Sequence, residues 1–247
     1  MSSLLRRMLV RSPLVHRQLR HAHFALSYAR HRVHEQEFLY FKRFAGSSGL
    51  FVDVGGNTGQ SALSFGTLCP RHRIISFEPN PALAADLRFA RRLLGQRFEF
   101  HLVGLSDTST DEVLMVPRLG GEAITGEASM LGIRGTEFDR KHGSAFTIDN
   151  ISVRTITLDS LDLSPDFIKI DIQGFEMRAL RGMRKTLVKH RPLVLIERTS
   201  DRVEITEFLG SMGYTAYRYN REENALELIE DIATFRELNY FAVSALF

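Results

Sequence analysis

The sequence of 247 residues contains one cysteine, Cys69, and no tryptophan. A single cysteine excludes a disulfide within the chain, so the sequence gives no sign of an oxidising compartment. Long apolar runs are also absent, because no stretch approaches the roughly 18 consecutive apolar residues typical of a membrane-spanning helix. The hydrophobic share of 44%, with only 7 prolines and 18 glycines, excludes a collagenous or wholly disordered chain. We therefore expect one globular α/β domain with short extensions.

Acidic residues are missing from the first 34 positions, which hold seven arginines, five of the nine histidines and no lysine. The rest of the chain has 25 basic against 29 acidic residues, so the formal net charge of +3 combines an acidic body with a basic N-terminal segment. Such a segment is typical of nucleic-acid binding, of contact with an anionic membrane or of a targeting peptide. Composition does not distinguish these three.

The basic segment has a helical pattern. Ser12 followed by Pro13 is typical of a helix N-cap and first helical position, which predicts a short helix near residues 3–11 and a longer one after it. Apolar residues of the longer helix recur every three or four positions and share one stripe; they are Val15, Leu19, Ala22, Leu26, Ala29 and Val33. Glycines and serines over 46–49 then end the pattern. We divide the chain into a basic helical arm, residues 1–46, and a main domain, residues 47–247.

From residue 50 onward, strand-like and helix-like runs alternate. Strands separated by helices predict a parallel sheet with helices on both faces. The predicted strands are 50–54, 73–77, 98–103, 166–170, 193–196, 214–219, 226–229 and 240–243, and the predicted helices are 60–68, 81–94, 179–190 and 205–212.

Residues 117–148 interrupt this rhythm. They are rich in glycine and polar residues and lie between two further predicted strands, 111–116 and 151–157, which we expect to pair with each other. A segment of this length inside a compact domain is either a functional loop or disordered. We expect it to determine the choice of substrate.

The segment from Phe51 to Gly59 reads FVDVGGNTG, an apolar strand that runs into a glycine-rich turn and opens a helix. In a doubly wound sheet, this is where nucleotide-like ligands bind. The dinucleotide fingerprint G-x-G-x-x-G is not met, because Asn57 stands where its second glycine would fall. Asp53 beside the turn suits a ligand with a cationic amino group or a sulfonium better than a pyrophosphate.

Two further acidic residues follow the next two predicted strands. Glu78 ends the second strand, where an acidic residue commonly accepts hydrogen bonds from ribose hydroxyls. Asp107 follows the third strand, where a carboxylate can accept a hydrogen bond from an adenine amino group. Each residue alone fits an ordinary connection between a strand and a helix. Together with Asp53, they predict a nucleoside site.

Six segments in this order resemble the S-adenosylmethionine-dependent methyltransferases of the FkbM type. They are 51–59, 77–81, 105–107, 157–161 (TLDSL), 168–176 (IKIDIQGFE) and 195–197 (LIE). The resemblance covers roughly residues 50–243. It implies an α/β class I methyltransferase fold, Rossmann-like, with a seven-stranded, mostly parallel sheet whose last strand is antiparallel, helices on both faces, and the helical arm added at the N-terminus. It also implies S-adenosyl-L-methionine as the cofactor.

By the same resemblance, the turn after the first strand wraps the methionine part of the cofactor, Glu78 holds its ribose and Asp107 lies near its adenine. The expected cofactor-binding residues are Asp53, Val54, Gly55, Gly56, Asn57, Gly59, Glu78, Pro79, Ser106, Asp107 and Asp171. One position departs from the family, which usually reads Asp-Val-Glu-Gly after the fourth strand, whereas residues 171–174 read DIQG. Gln173 keeps the capacity to form hydrogen bonds but cannot act as a base.

Methyl transfer to a hydroxyl requires alignment of donor and acceptor and removal of the hydroxyl proton. Asp171 is the first candidate to orient or deprotonate the acceptor. Glu176 and Glu197 either hold a divalent cation together with Asp171 or pair with nearby arginines. His142 in the long loop is a further candidate base, because the pKa range of histidine suits proton transfer. Ser129 in the same loop is expected near the acceptor.

The acceptor atom is expected to be oxygen. The Asn/Asp-Pro-Pro-Tyr/Phe type of sequence usual for nitrogen methylation of bases is absent after the fourth strand, and Cys69 lacks the Pro-Cys context of cytosine methylation. The sequence thus predicts an O-methyltransferase acting on a hydroxyl of a sugar, a glycolipid or a secondary metabolite. Two alternatives are a catalytically silent cofactor-binding or scaffold protein of the same fold, motivated by Gln173, and an NAD-dependent oxidoreductase.

The partners expected besides the hydroxyl acceptor concern the basic arm. Its apolar stripe is expected to pack on the domain or on a second copy of the chain in a homodimer, with its arginine face on an anionic membrane. Nucleic acid is not expected as a partner. The expected location is cytoplasmic or membrane-associated, and mitochondrial is the alternative, because an arginine-rich, acid-free N-terminus resembles a presequence.

Overall fold

The computed structural model describes residues 13–120, 122–133 and 136–246. The short helix expected near residues 3–11 and its neighbour Ser12 lie outside the described residues. Among the residues that are described, no helix is long and apolar enough to cross a membrane.

The helices follow the predicted order. The described residues form α1 (Pro13–Ala29), α2 (Gln60–Leu68), α3 (Ala84–Leu94), α4 (Glu137–His142), α5 (Glu176–Arg181), α6 (Arg184–His190) and α7 (Arg202–Gly210). The helix predicted over 179–190 is divided into α5 and α6. The division falls at Gly182, where the backbone passes so close to Ser106 that a Cβ atom would lie 1.8 Å from its carbonyl oxygen.

The strands form two sheets. They are β1 (Leu50–Val54), β2 (Arg73–Phe77), β3 (Phe98–His101), β4 (Gly104–Leu105), β5 (Asp111–Leu119), β6 (Glu122–Ala123), β7 (Phe146–Ile156), β8 (Phe167–Ile170), β9 (Leu193–Glu197), β10 (Tyr214–Asn220), β11 (Ala225–Leu228) and β12 (Asn239–Ser244). The main sheet has the order β11-β10-β12-β9-β8-β1-β2-β3.

The main sheet confirms the predicted fold class. Strands β3, β2, β1, β8 and β9 pair in parallel, whereas the last strand, β12, is antiparallel to both of its neighbours. The sheet has eight strands rather than the seven that the family resemblance implied. The additional strand is β11, which the sequence predicted as 226–229 and which forms an antiparallel hairpin with β10 at the edge of the sheet.

Helices cover both faces of this sheet. Successive residues of each central strand point to opposite sides, so each strand contributes apolar side chains to both faces. Phe51 belongs to one buried cluster with side chains of α1, α2 and α3. Its neighbour Val52 belongs to the other, which includes side chains of α5, α6 and α7. The apolar alternation of the strands therefore fixes which helices lie on which side.

The segment 117–148 consists largely of regular structure and was wrongly expected to be a loop. Strand β5 runs on to Leu119, and β7 begins at Phe146; the two pair antiparallel as predicted. Together with β4 and β6 they form a second sheet of order β4-β7-β5-β6. Helix α4 packs Phe138 against Phe146 on this sheet, with a ring centroid distance of 5.0 Å. The second sheet stands beside the edge of the main sheet where β1 and β8 end.

The basic arm packs on the domain with a different face from the one predicted. Phe24 of α1 is buried, whereas Leu19 and Leu26 of the predicted stripe are 65% and 48% exposed. A 3-10 helix, Gln36–Phe44, follows α1 and buries Phe38 and Phe41 in the same core as Phe51. The boundary at residue 46 stays a prediction.

Candidate functional site

The glycine-rich turn lies where the carboxyl ends of β1, β2 and β8 meet. Gly55 has a φ of +90°, and a Cβ atom there would lie 1.9 Å from the carbonyl oxygen of Asp171. The N–H groups of Gly55 and Gly56 donate hydrogen bonds of 2.9 and 3.0 Å to the carbonyl of Phe77. Only glycine fits position 55, because any side chain would be strained and would collide with the chain that follows β8. The bare backbone leaves a cradle between β2 and β8.

Asp53, two residues before Gly55 in the chain, is fully buried. Its Oδ2 atom accepts a hydrogen bond of 2.7 Å from Ser76 Oγ, and its Oδ1 atom has no hydrogen-bond partner among the described residues. Burial raises the pKa of Asp53, and the charge of Lys169 acts in the opposite direction. A buried acceptor without a partner fits a ligand that brings a hydrogen-bond donor, as a ligand amino group does.

Glu78 directly follows β2 and fixes the backbone on the other side of the cradle. Its Oε2 atom accepts a hydrogen bond from the N–H of Asn57, and its Oε1 atom accepts one from the N–H of Asn80, both at 2.8 Å. Burial raises the pKa of Glu78 to about 7, although these two hydrogen bonds favour the charged form. Each carboxylate oxygen has a second lone pair, so Glu78 can still accept hydrogen bonds from two hydroxyls of a ribose.

A cleft of about 580 Å³, open solvent at its mouth included, lies over the cradle, and we call it the cofactor cleft. Five of the eleven predicted cofactor-binding residues line it: Gly55, Asn57, Glu78, Pro79 and Asp171. The structure adds lining residues from the second sheet and its connections that were not predicted, among them Leu105, Thr125 and Met130. The other predicted residues do not line the cleft; they are Asp53, Val54, Gly56, Gly59, Ser106 and Asp107.

Asp107 forms a salt bridge with Arg178 of α5 and does not line the cofactor cleft. Arg178 Nε donates a hydrogen bond of 3.0 Å to Asp107 Oδ1, and its Nη2 atom lies 2.9 Å from the same oxygen. Burial opposes ionisation of Asp107, but Arg178 and Ser106 lower its pKa. With one carboxylate oxygen bound in this way, the structure gives Asp107 a role in joining the loop after β4 to α5. Contact with an adenine remains a prediction.

Asp171, at the end of β8, forms an ion pair with a buried lysine. The Nζ atom of Lys169 lies 2.7 Å from Asp171 Oδ2, and the lysine side chain is only 1% exposed. Burial alone would raise the pKa of Asp171, but the charge of Lys169 and hydrogen bonds from its neighbours lower it well below the usual range. Asp171 is therefore a carboxylate at neutral pH and a weak base.

Gln173 connects this carboxylate to a second one. Its Nε2 atom donates a hydrogen bond of 2.8 Å to Glu197 Oε2 and lies 3.4 Å from Asp171 Oδ1. Burial and the negative charge of Asp171 raise the pKa of Glu197 strongly. Glu197 therefore holds a proton more readily than an ordinary glutamate, and it accepts a hydrogen bond from Gln173. Gln173 has a φ of +51°, in the left-handed region that non-glycine residues rarely adopt.

Glu176 faces the backbone rather than a cavity. Its Oε1 atom accepts hydrogen bonds from the N–H groups of Ile172, at 3.2 Å, and Gly174, at 3.1 Å. It holds the loop between β8 and α5 in shape. Among the described residues, Glu176 and Glu197 do not pair with arginines as predicted: Arg178 binds Asp107, and the two glutamates have the partners given above.

A larger cavity, which we call the acceptor cavity, adjoins the cofactor cleft. It has a volume of about 2290 Å³, open solvent included, and its lining includes His142, Glu197 and many residues of the segment 117–148. Ser129 and Gln173 line both spaces. Ser129 Oγ donates a hydrogen bond of 2.9 Å to the carbonyl of Gln173, so these two residues form the boundary between the cleft and the cavity.

The predicted catalytic residues are thus partly brought together. Glu197 and His142 line the acceptor cavity, Asp171 lines the cofactor cleft, and Glu176 lines neither. In the described parts of the chain, no group of three or more histidines, cysteines or acidic residues is arranged to hold a metal ion. The divalent cation expected as one alternative therefore has no support in the described residues.

Two charged residues of the site were missed from the sequence. Lys169 stands two positions before Asp171, and the period of a strand places both on the same face, so the alternation of β8 carried a signal for this pair. Glu35 is the other residue. Asn239 donates a hydrogen bond of 3.3 Å to it, and its charge acts on Lys169. No local pattern predicts the approach of Glu35, since 134 positions of the chain separate it from Lys169.

At its switch point, the parallel sheet carries a glycine cradle, a buried carboxylate suited to ribose hydroxyls and an adjoining larger cavity. These features define a class of α/β proteins that bind a nucleoside cofactor beside an acceptor. Comparison with protein families narrows this class. The Methyltransferase FkbM domain matches residues 53–224, which is more than half of the sequence. The chain belongs to the FkbM methyltransferase family, as the resemblance of its motifs implied.

A solved structure from the same family shares the fold. The crystal structure of methyltransferase FkbM from Methylobacillus flagellatus KT is similar with a TM-score of 0.52 and 20% identity, over 79% of this chain and 43% of that one. The chain thus spans less than half the length of that protein. Precorrin-6y C5,15-methyltransferase from Geobacter metallireducens GS-15 gives a TM-score of 0.45 and 15% identity over 83% of both chains. A comparison with curated protein sequences finds no match.

Proposed function

We propose that this chain is an S-adenosylmethionine-dependent O-methyltransferase that methylates a hydroxyl group of a sugar, a glycolipid or a secondary metabolite. The observation that carries the proposal is the shared boundary at Ser129 and Gln173. It joins a cleft suited to a nucleoside cofactor to a larger cavity suited to an acceptor. The family match favours this function over the NAD-dependent oxidoreductase.

The residues of the cofactor cleft fit S-adenosylmethionine. Glu78 would hold the ribose hydroxyls, the turn at Gly55 leaves space for the methionine part, and the free oxygen of Asp53 fits an amino group. When bound, this cofactor supplies a methyl group on a positively charged sulfur. The ionised carboxylate of Asp171 at the edge of the cleft complements that positive charge.

The acceptor hydroxyl needs a group that orients it and a group that removes its proton. Asp171 is suited to the first role, because its carboxylate is charged and anchored by Lys169, and its low basicity makes it a poor proton acceptor. Glu197 holds a proton more readily than an ordinary glutamate, and in that form it can donate a hydrogen bond to the acceptor. His142 lines the acceptor cavity, and its side chain is the candidate to take the hydroxyl proton.

The segment 117–148 supplies much of the acceptor cavity, including Leu119, Ile124 and Phe138. Apolar side chains mixed with polar ones are typical of pockets that bind an organic molecule. This supports the prediction that the segment selects the substrate. Oxygen remains the proposed acceptor atom, since residues 171–174 lack the proline-containing sequence of base N-methyltransferases.

A second candidate is a catalytically silent cofactor-binding protein of the same family. One observation favours it: the amide of Gln173 spans the two carboxyl groups at the position where relatives usually have a glutamate. The two candidates agree on cofactor binding and differ in turnover.

Calorimetric titration with S-adenosylmethionine and S-adenosylhomocysteine tests both. The proposed function expects binding of both ligands, and transfer of a labelled methyl group to at least one member of a panel of sugars, glycolipids and phenolic hydroxyls. His142→Gln should then lower kcat at least about 100-fold with little change in cofactor affinity, whereas His190→Gln, on α6, should change neither. Absence of binding at millimolar ligand overturns both candidates, and binding without turnover favours the silent protein.

A further inference from the structure

The outer face of α1 exposes apolar side chains. Leu19 and Leu26 are 65% and 48% exposed, and Ala22 lies between them on the same exposed stripe. Two leucines and an alanine in succession along a helix contribute apolar surface that a domain core would ordinarily bury.

Contacts between the opposite face of α1 and the domain hold the helix in place. Arg20 donates hydrogen bonds of 2.9–3.0 Å from Nε and Nη2 to both carboxylate oxygens of Asp86 in the first turn of α3. His21 stacks on Phe89 of α3 with ring centroids 4.1 Å apart, and Phe24 is buried in the core. Because the inner face of α1 is fixed in this way, its leucines remain directed outward.

Exposed arginines lie after α1 and on α3, the helix against which α1 packs. They are Arg30, Arg32, Arg88, Arg91 and Arg92. In the described part of the chain, none of these five forms a salt bridge. Residues 13–34 contain no acid, and the one acidic residue of α3, Asp86, is already bound by Arg20 and His21. We call the five arginines with Leu19 and Leu26 the basic surface.

We propose that the basic surface binds the face of a lipid bilayer that contains anionic headgroups, with Leu19 and Leu26 entering the interface between headgroups and acyl chains. Apolar side chains on a basic helical face are the pattern of interfacial membrane helices. Each cation near an anionic bilayer strengthens binding. The inference is independent of the proposed methyl transfer, because none of these residues lines the cofactor cleft or the acceptor cavity.

Two other binding partners, a second copy of the chain and a nucleic acid, fit the basic surface less well. A second copy of the chain, packed face to face, would bring the five arginines of one copy against those of the other, and like charges in contact oppose association. A nucleic acid would satisfy the arginines through its phosphates but would leave the two leucines without an apolar partner. A bilayer matches both the charge and the apolar stripe.

Co-sedimentation of the full chain with phosphatidylcholine vesicles, with and without about one third phosphatidylserine, tests the proposal. Binding is expected only to the anionic vesicles and should weaken as salt is raised. The variant Arg88→Gln/Arg91→Gln/Arg92→Gln should lower the vesicle partition coefficient at least about tenfold. The charge-matched control Lys185→Gln/Arg221→Gln/Arg236→Gln removes three exposed cations elsewhere and should bind as the unmodified chain does.

The apolar part is tested separately by Leu19→Gln/Leu26→Gln, which should lower binding several-fold. The control Leu228→Gln/Leu246→Gln changes two leucines that are 56% and 73% exposed and should have no effect. Because the changed side chains are exposed, every variant should keep the circular dichroism and thermal midpoint of the parent chain.

Several results would overturn the proposal. Equal binding to neutral vesicles, or an equal loss in the charge-matched control, would show that the basic surface is not responsible. Binding of a single-stranded RNA that is lost in the arginine variant, without binding to vesicles, would assign the surface to nucleic acid. A dimer in light scattering that Leu19→Gln/Leu26→Gln dissociates would assign it to a second copy.

Discussion

The ammonium group of Lys169 lies 2.7 Å from the carboxylate of Asp171 and is almost fully buried beneath it. Two further acids, Asp53 and Glu35, act on the same lysine and keep it charged despite its burial. The charge of Lys169 thus interacts with three acidic residues, Asp171, Asp53 and Glu35. The charge of the candidate site depends on a residue that an incoming ligand need not contact.

Lys169→Met should therefore destabilise the fold. Removing the cation leaves the fully buried Asp53 and the partly buried Asp171 without their counter-charge, and breaking a buried ion pair typically costs about 3–5 kcal/mol. Urea unfolding at neutral pH measures the loss, and Lys185→Met at an exposed position serves as the control. Adding Asp171→Asn to Lys169→Met should recover part of the stability, because it removes one unpaired charge. A single variant as stable as the parent would contradict this account of the ion pair.

Gly55→Ala should abolish the cradle. A Cβ atom at this position would lie 1.9 Å from the carbonyl oxygen of Asp171, and the φ of +90° is unfavourable for alanine. Strain of this kind costs about 1–3 kcal/mol, and the forced shift of the backbone should weaken S-adenosylmethionine binding at least about tenfold. Gly46→Ala is the matched control, since its Cβ would meet no atom within 4 Å. Calorimetry should find cofactor affinity unchanged in the control.

Glu78→Gln should change how stability depends on pH. The pKa of Glu78 is raised in the folded state to about 7, from an ordinary value of 4.5. The folded state thus binds the proton more tightly, and this contribution is complete below about pH 4.5 and is lost as pH rises through about 7. Relative to Glu78→Gln, the parent chain should lose up to about 3 kcal/mol across that window.

Unfolding of the ligand-free protein at several pH values measures this difference for Glu78. Glu99→Gln, at an exposed glutamate of β3, is the control and should follow the parent chain. Parallel curves for Glu78→Gln and the parent would show that Glu78 does not titrate near neutrality. The same variant should also bind S-adenosylmethionine more weakly, because an amide offers one acceptor oxygen where the carboxylate offers two.

Gln173→Glu, which introduces the acid usual in the family, should destabilise this chain. It replaces the amide that donates to Glu197 with a third carboxyl group beside Asp171. The expected loss is about 1–3 kcal/mol at neutral pH, and it should grow as pH rises because the added group ionises against its neighbours. Gln96→Glu, at an exposed position, controls for the added charge. A stability that does not change between pH 5 and 8 would refute this prediction.

Much of the fold could be predicted because the signals are local. The period of two in Phe51 and Val52 separates the two faces of the sheet, and FVDVGGNTG marks the turn over which the cofactor cleft opens. The segment 117–148 was harder to predict. Its strands pair with partners some 30 residues away, so glycine and polar residues that look like a loop in the sequence are ordered by contacts that no short window contains.

The prediction of the candidate site succeeded where backbone geometry alone determines the position of a residue. It failed where a side chain has more than one available partner. Gly55 and Glu78 follow directly from the ends of β1 and β2. Asp107 occupies the expected place in the chain, but its carboxylate binds Arg178, which arrives from another helix. Leu19 and Leu26 have a helical period that indicates a packed face, yet Phe24 on the opposite side makes the contact. An aromatic ring buries more apolar surface than either leucine, so it decides which face turns inward.

The placement of β12 has a consequence for how the family domain is delimited. This strand lies between β9 and β10 within the main sheet, and it falls beyond residue 224, where the family match ends. At the other end, Phe38 and Phe41 lie before residue 53 and pack on Phe51. The stretch that matches the family is thus smaller than the sheet and core to which it belongs. A fragment cut to residues 53–224 would lack β12 and the first three residues of β1, and with them the core rings of Phe38, Phe41 and Phe51.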